Sequence, residues 1–154
     1  MPYKITKITD IGEIEEVIEK ALICRLGLVD NDEPYVIPVN FGYERGALYF
    51  HGRSKGRKIE LIKKNNKVCF EMDIDVELDK LEHPDNPCSW IMKGKSVVGV
   101  GTASILEDDE EKIHALRLIT GHCSQGDFSF PKSKLDSVSV IKVDISTITG
   151  KKIV

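Results

Sequence analysis

No two cysteines of this chain form a Cys-x-x-Cys pair. Cys24, Cys69, Cys88 and Cys123 stand far apart, and the first two lie within apolar strand-like runs, so buried reduced thiols are expected in place of bridges. A basic surplus is missing as well. With 22 Lys+Arg against 25 Asp+Glu, the net charge of −3 excludes the basic footprint of broad nucleic-acid binding. No apolar run approaches the ~20 residues of a membrane span. Met1-Pro2-Tyr3-Lys4 lacks the apolar core of a signal peptide. Together these absences predict a soluble cytoplasmic protein without a membrane partner. There is no GxGxxG fingerprint for a dinucleotide, no internal repeat and no low-complexity linker. What remains is an ordinary globular composition, 41% hydrophobic and 31% charged over 154 residues. That length predicts a single domain, residues 1–154, with a real core.

The chain reads mainly as strands. Asp10 starts a short helix over residues 11–20 as its N-cap, with Glu13 placed for a capping box, and Ile11, Ile14, Val17 and Ile18 recur at helical spacing. Ala21 to Val29 and Pro34 to Phe41 read as a hairpin about the Asp30-Asn31-Asp32 turn. Pro38 lacks a ladder donor, which places that second strand at an edge, at a bulge or against a ligand. Gly42 to Gly46 reads as a turn, Ala47 to His51 as the third strand and Lys67 to Ile74 as the fourth. Residues 75–90 look irregular. Lys95 to Leu106 is a fifth strand, where Gly99 and Gly101 suggest a bulge. An acid-led helix runs through His122, a polar loop spans 124–137, and Val138 to Ile148 is the last strand. Six strands and three short helices predict an antiparallel barrel or α+β domain; no βαβ alternation supports a parallel sheet.

The informative stretch is Leu48 to Lys64, LYFHGRSKGRKIELIKK. A strand end leads through a glycine-marked turn into a helix, with Ser54 placed as N-cap. Lys55, Arg57 and Lys58 then crowd a helix start whose dipole is already positive. An anion seated there would resolve the conflict, because free N–H groups, dipole and cations would converge on one phosphate. The plainer reading is a solvated basic helix start beside a flexible turn.

Pro38-Val39-Asn40-Phe41-Gly42-Tyr43, Leu48-Tyr49-Phe50-His51-Gly52, Gly56-Arg57-Lys58, Ser96-Val97-Val98-Gly99-Val100-Gly101 and Ile148-Thr149-Gly150-Lys151, in that order, resemble the pyridoxamine 5′-phosphate oxidase-like flavoproteins. The nitroimidazole-resistance branch is the nearest in pattern, and the resemblance covers residues 10–152. It implies a mainly β fold, a six-stranded antiparallel FMN-binding split barrel with short helices, and a homodimer with FMN at the subunit interface. Carried over by position, Arg57 and Lys58, with Lys55 beside them, would hold the FMN phosphate. Val39, Asn40 and Phe41 would line the isoalloxazine, largely through backbone groups. His51 and Gly52 would sit beside the ribityl chain or ring, and Ser96 would add a polar contact. His51 is also the candidate catalytic residue. The resemblance implies an oxidoreductase passing electrons from NAD(P)H through FMN to a small acceptor such as a nitroaromatic. The alternative is a non-catalytic flavin- or haem-binding or redox-sensing module, and the family includes deazaflavin users. The chain ends Gly150-Lys151-Lys152-Ile153-Val154, without the Arg-x-Arg segment of the vitamin-processing oxidases, which argues against pyridoxamine phosphate as substrate. His114, His122 and Cys123 do not have the spacing of a metal site, so no metal is expected. Cys88 and Trp90 are placed either to cover a partner's flavin or to pack in a core or interface.

Overall fold

Alternation of apolar and polar residues gathers eight strands into one antiparallel sheet in the computed structural model, which describes residues 3–154. Met1 and Pro2, part of the leader reading, lie outside the described residues. The strands are β1 (Ile5–Ile8), β2 (Cys24–Asp30), β3 (Glu33–Val39), β4 (Gly42–Glu44), β5 (Ala47–Arg53), β6 (Lys67–Asp79), β7 (Ile91–Ile105) and β8 (Val138–Ile153). Their order is β3-β2-β6-β7-β8-β5-β4, with β1 also paired to β8. The sheet is mainly β and antiparallel as expected, but eight strands replace the expected six, and no pairing between β3 and β4 closes it. The two additional strands are short. β1 was not read as a strand at all, and β4 occupies what reads in sequence as a glycine turn. Pro38 does lie on an edge strand, where its missing donor costs no ladder bond. The register of β7 against β8 shifts between Val100 and Gly101, the bulge that the glycines suggested.

Four helices flank the sheet: α1 (Ile11–Lys20), α2 (Arg57–Lys64), α3 (Asp109–Cys123) and α4 (Lys132–Ser137). Asp10 caps α1 by accepting from the Glu13 N–H, and Asp108 caps α3 by accepting from that of Glu111. The fourth helix falls inside the stretch read as a polar loop; its one buried residue, Leu135, gives too little periodicity to see. The segment read as irregular over 75–90 is so from residue 80; its first five residues are sheet, since β6 continues to Asp79 across a break in register between Ile74 and Glu77. Only residues 80–90 leave it, and they contain a single 3-10 turn at Pro87–Ser89.

The core has two parts. The larger joins Val17 and Ile18 of α1 and Ile59 and Ile62 of α2 to Leu26, Phe50, Phe70, Met72, Val97 and Ile141 of the sheet. Each such side chain contributes roughly 1.5–3 kcal/mol when fully buried. A Cβ at Gly99 would strike the Phe70 ring, so glycine there is what lets Phe70 lie across its neighbour strand. The smaller part seats α3 and α4 on β5 and β8, through Ala115, Leu116, Ile119 and Leu135 against Tyr49 and Val140.

The other face of the long strands is left uncovered. Register aligns Val36, Gly27, Cys69, Val100 and Thr147 in one row across β3, β2, β6, β7 and β8. Val98 lies one row further on. Val36, Val98 and Val100 are 65%, 51% and 44% exposed, a contiguous apolar strip on a sheet face. Cys69 belongs to that strip and is exposed, contrary to the expectation of a buried thiol, whereas Cys24 points inward and is buried.

Candidate functional site

The ends of three elements meet where β3 finishes, β5 finishes and α2 begins. Pro38, Val39 and Asn40 form one wall of a concavity there, His51, Gly52 and Arg53 a second, and Lys58 with Val138 the remainder; its volume is about 470 Å³. That falls within the ~300–1,000 Å³ of small-molecule and cofactor sites. Val39 is buried and supplies apolar surface, while Asn40 and His51 are exposed. β5 reaches two residues beyond its expected end, so that Arg53 pairs with Val138 of β8 and both enter the wall. Sequence reasoning offered Pro38 as an edge, bulge or ligand position but passed over Arg53 and Val138. The signal for Arg53 was there, a fourth cation beside Lys55, Arg57 and Lys58 at the same turn.

The helix start departs from the expected cap. α2 begins at Arg57 with Gly56 as N-cap and no side-chain cap bond, whereas Ser54 lies in the exposed turn before it. Gly56 N–H is used by the Arg53 carbonyl. Among the described residues the N–H groups of Arg57 and Lys58 find no acceptor, leaving the first turn open to an anion.

The cations divide unequally. Lys58 is half-buried and folds directly over Gly52, where a Cβ would collide with its Cε. Burial holds its ammonium below the usual lysine range. Arg57 does not line the concavity. Its Nη2 donates to Asp30 Oδ2 at 3.0 Å, and its guanidinium lies 4.2 Å above the Tyr35 ring. Lys55 is exposed in the turn and does not line it either. His51 faces the concavity, and the walls around it strip part of its hydration. That desolvation, with the nearby Lys58 charge second, holds its imidazole below the ordinary histidine value.

Phe41 is fully buried and stacks on His122 at 4.3 Å between ring centroids. It supports the wall from beneath, and only its backbone can face a ligand. His122 Nε2 donates to the Ala21 carbonyl at 2.6 Å, and His114 Nε2 meets Glu44 Oε1 at 2.9 Å, so each ring nitrogen in question already has a protein partner. Trp90 donates through Nε1 to the His83 carbonyl and lies beneath Lys80. Ser96 faces outward from β7 into a separate recess and does not reach this concavity in one copy of the chain.

The family model for pyridoxamine 5′-phosphate oxidase matches residues 10–152. No curated protein gives a significant match. Among solved structures, a candidate 5-nitroimidazole antibiotic resistance protein from Bacteroides thetaiotaomicron is 36% identical, with a TM-score of 0.87 over 99% of this chain and 90% of that one. The flavocytochrome Anf3 from Azotobacter vinelandii is 18% identical, with a TM-score of 0.80 over 95% of this chain and 68% of that one. A FAD-binding protein from Mesorhizobium loti is 20% identical, with a TM-score of 0.70 over 99% and 98%. The last two share the fold. No helix among the described residues is long and apolar enough to cross a membrane. With a family match over nearly its whole length and a relative of 36% identity, the chain belongs to the pyridoxamine 5′-phosphate oxidase family.

Proposed function

We propose that the concavity between β3, β5 and α2 binds FMN, and that the protein is an oxidoreductase acting as a homodimer. The observation that carries the reading is one concavity lined by Lys58, Arg53 and His51 together with Pro38, Val39 and Val138, at the start of a helix whose first N–H groups have no acceptor. A phosphomonoester needs such cationic donors, and an isoalloxazine needs a flat apolar wall with a few polar groups beside it. The residues fit both halves. Lys58 and the open first turn of α2 would hold the phosphate; Val39, the Asn40 side chain and the local backbone would hold the ring. When bound, FMN supplies reversible electron transfer between a reduced nicotinamide and a small acceptor such as a nitroaromatic. The chain's own part is to orient the ring, exclude water along Val39 and Val138, and keep a neutral imidazole at His51 beside it. His51 is the group placed to take or give a proton.

The dimer is supported by the strip of Val36, Val98 and Val100, since contiguous exposed apolar surface on a sheet face marks an interaction site. Ser96 lies on that same outward face, so a second copy is what would bring it to the ring. Such an interface should bury more than about 2,000 Å².

Purified protein should be yellow, release FMN and not FAD, and sediment as a dimer at micromolar concentration. Colourless protein that fails to take up added FMN overturns the flavin reading, and a monomer with FMN bound overturns the dimer. Rapid bleaching by NADH or NADPH marks an enzyme. Reduction by dithionite alone marks a store or sensor, the second reading.

A further inference from the structure

Between Val39, where β3 ends, and Gly42, where β4 begins, Asn40 and Phe41 belong to no strand. They cross the opening of the sheet, since β3 lies at one end of the strand order and β4 at the other. Among the described residues, neither of them makes a backbone–backbone hydrogen bond. The wall that carries Asn40 is therefore not held by a ladder. It is held by the Phe41 side chain, fully buried next to it, and by α3. A Cβ at Gly42 would stand 2.6 Å from the Leu118 carbonyl carbon and 2.7 Å from the Ile119 nitrogen, so the chain leaves Phe41 pressed against the helix backbone. His122 follows one turn further along that face of α3. Its ring centroid lies 4.3 Å from that of Phe41, with the planes tilted by 42°, and its Nε2 donates to the Ala21 carbonyl at 2.6 Å. Ala21 is buried and is the C-cap of α1. Among the described residues its carbonyl has no other donor. Phenylalanine at 122 could stack but not donate, and glutamine could donate but offers no ring; histidine does both. The hydrogen bond fixes the rotation of the imidazole, and the fixed imidazole confines Phe41.

We propose that His122 is a positioning residue of the concavity: tethered to Ala21, it holds Phe41 and through it sets Asn40 in the wall that receives the isoalloxazine. Only this last step rests on the flavin reading; the hold on Asn40 is a property of the apo protein. His122 itself touches no ligand. Its influence falls on the ring end of the cofactor, so its loss should be felt equally by FMN and by riboflavin, whereas loss of Lys58 should be felt by FMN alone.

His122→Phe keeps a ring of similar outline and removes the donor. In full-length, 15N-labelled apo protein, the order parameter of the Asn40 amide should fall from about 0.85 in wild type to below about 0.6 in this variant. His114→Gln is the control: it removes a contact of the same helix with Glu44, at 2.9 Å, and should leave Asn40 rigid. By flavin fluorescence, His122→Phe should weaken FMN and riboflavin about tenfold each, the lower end of what loss of a supporting contact costs at metal sites. Phe41→Leu, which removes the other ring of the stack, should do the same, and the double variant should lose no more than either. Where His122→Phe fails to fold, Phe41→Leu carries both measurements. The proposal is overturned if Asn40 stays as rigid as in wild type, if FMN alone is weakened, or if only Tm falls while both flavins bind as before. Wild-type protein that binds neither flavin overturns the flavin reading instead, and the Asn40 order parameters still decide whether His122 holds the wall.

Discussion

Gly52→Ala separates a positioned lysine from a merely nearby one. The Lys58 side chain occupies the space where a Cβ at position 52 would stand, and the atom it would meet is Cε, near the free end of a flexible chain. The alanine should therefore push the ammonium out of the cavity without disturbing β5 or α2. If Lys58 bonds the FMN phosphate, the substitution removes one charge-assisted hydrogen bond, worth roughly 1.5–3 kcal/mol. At 1.4 kcal/mol per decade, FMN should bind about 10- to 150-fold more weakly. The apo protein should not suffer, because glycine within a strand is itself about 0.5–1 kcal/mol less favourable than alanine. Its Tm should stay within a few degrees of wild type or rise. Lys58→Ala should cost as much FMN affinity as Gly52→Ala, and the double variant no more than either, since both remove the same contact. Flavin fluorescence titrations with FMN and riboflavin measure all four proteins. Riboflavin, lacking the phosphate, should distinguish them little. Additive losses in the double variant, or equal losses for FMN and riboflavin, would refute the positioning of Lys58 by Gly52.

The Asp30 contact holds Arg57 outside the cavity, so Arg57→Ala should weaken FMN less than Lys58→Ala. Asp30→Asn, which removes an acid near the α2 start, should tighten FMN by about two- to fivefold and leave stability nearly unchanged, since an exposed pair is worth ~0–1 kcal/mol; weaker FMN binding in Asp30→Asn would show that Asp30 aims Arg57 at the phosphate. His51 has a depressed value in the folded state, so its contribution to stability is fully present above its ordinary value near 6.5 and is lost as pH falls through the lower folded value. Lys58→Met should raise the His51 value towards normal, as read by NMR titration of its ring protons, and an unchanged value would remove Lys58 from its surroundings. Burial pushes the Cys24 thiol up to about 12, so iodoacetamide at pH 8 should spare it while modifying Cys88 and Cys123. Cys69 should be modified quickly in dilute protein and slowly in concentrated protein if the apolar strip is the dimer face; a rate independent of concentration would move the interface elsewhere.

The sequence was most legible where one property repeats. The α1 helix has its expected bounds because its cap and its periodicity agree. Pro38 announced an edge, and Gly99 with Gly101 announced a bulge, each by what its backbone cannot or need not do. β4 was hidden because three residues beside a glycine turn carry no alternation. α4 was hidden because it buries one side chain. The cavity was half legible. His51, Gly52, Lys58, Val39 and Asn40 line it, but nothing linear shows that Asp30 captures Arg57, or that Phe41 turns inward to His122. Those outcomes depend on contacts between residues distant along the chain. Cys69 shows the same limit from the other side. An apolar run fixes that a strand exists, and its two faces alternate, yet which face remains uncovered is decided by where the helices land.

The partners of β8 have a consequence for the order in which the molecule assembles. This one strand pairs with β7, β5 and β1, and its last turns of register join Ile153 to Ile5. The β6–β7 hairpin needs only a local loop to form, but β1 and β5 have no place to dock until β8 is laid down. Closure entropy for such distant pairings is lost before their contacts form, which makes folding slow compared with helical proteins of similar length. In the interval, the exposed edge of β7 is open to pairing with another chain. Substitutions that weaken β8 should therefore appear first as lost yield on refolding at high concentration, before any change in the finished protein's cofactor affinity.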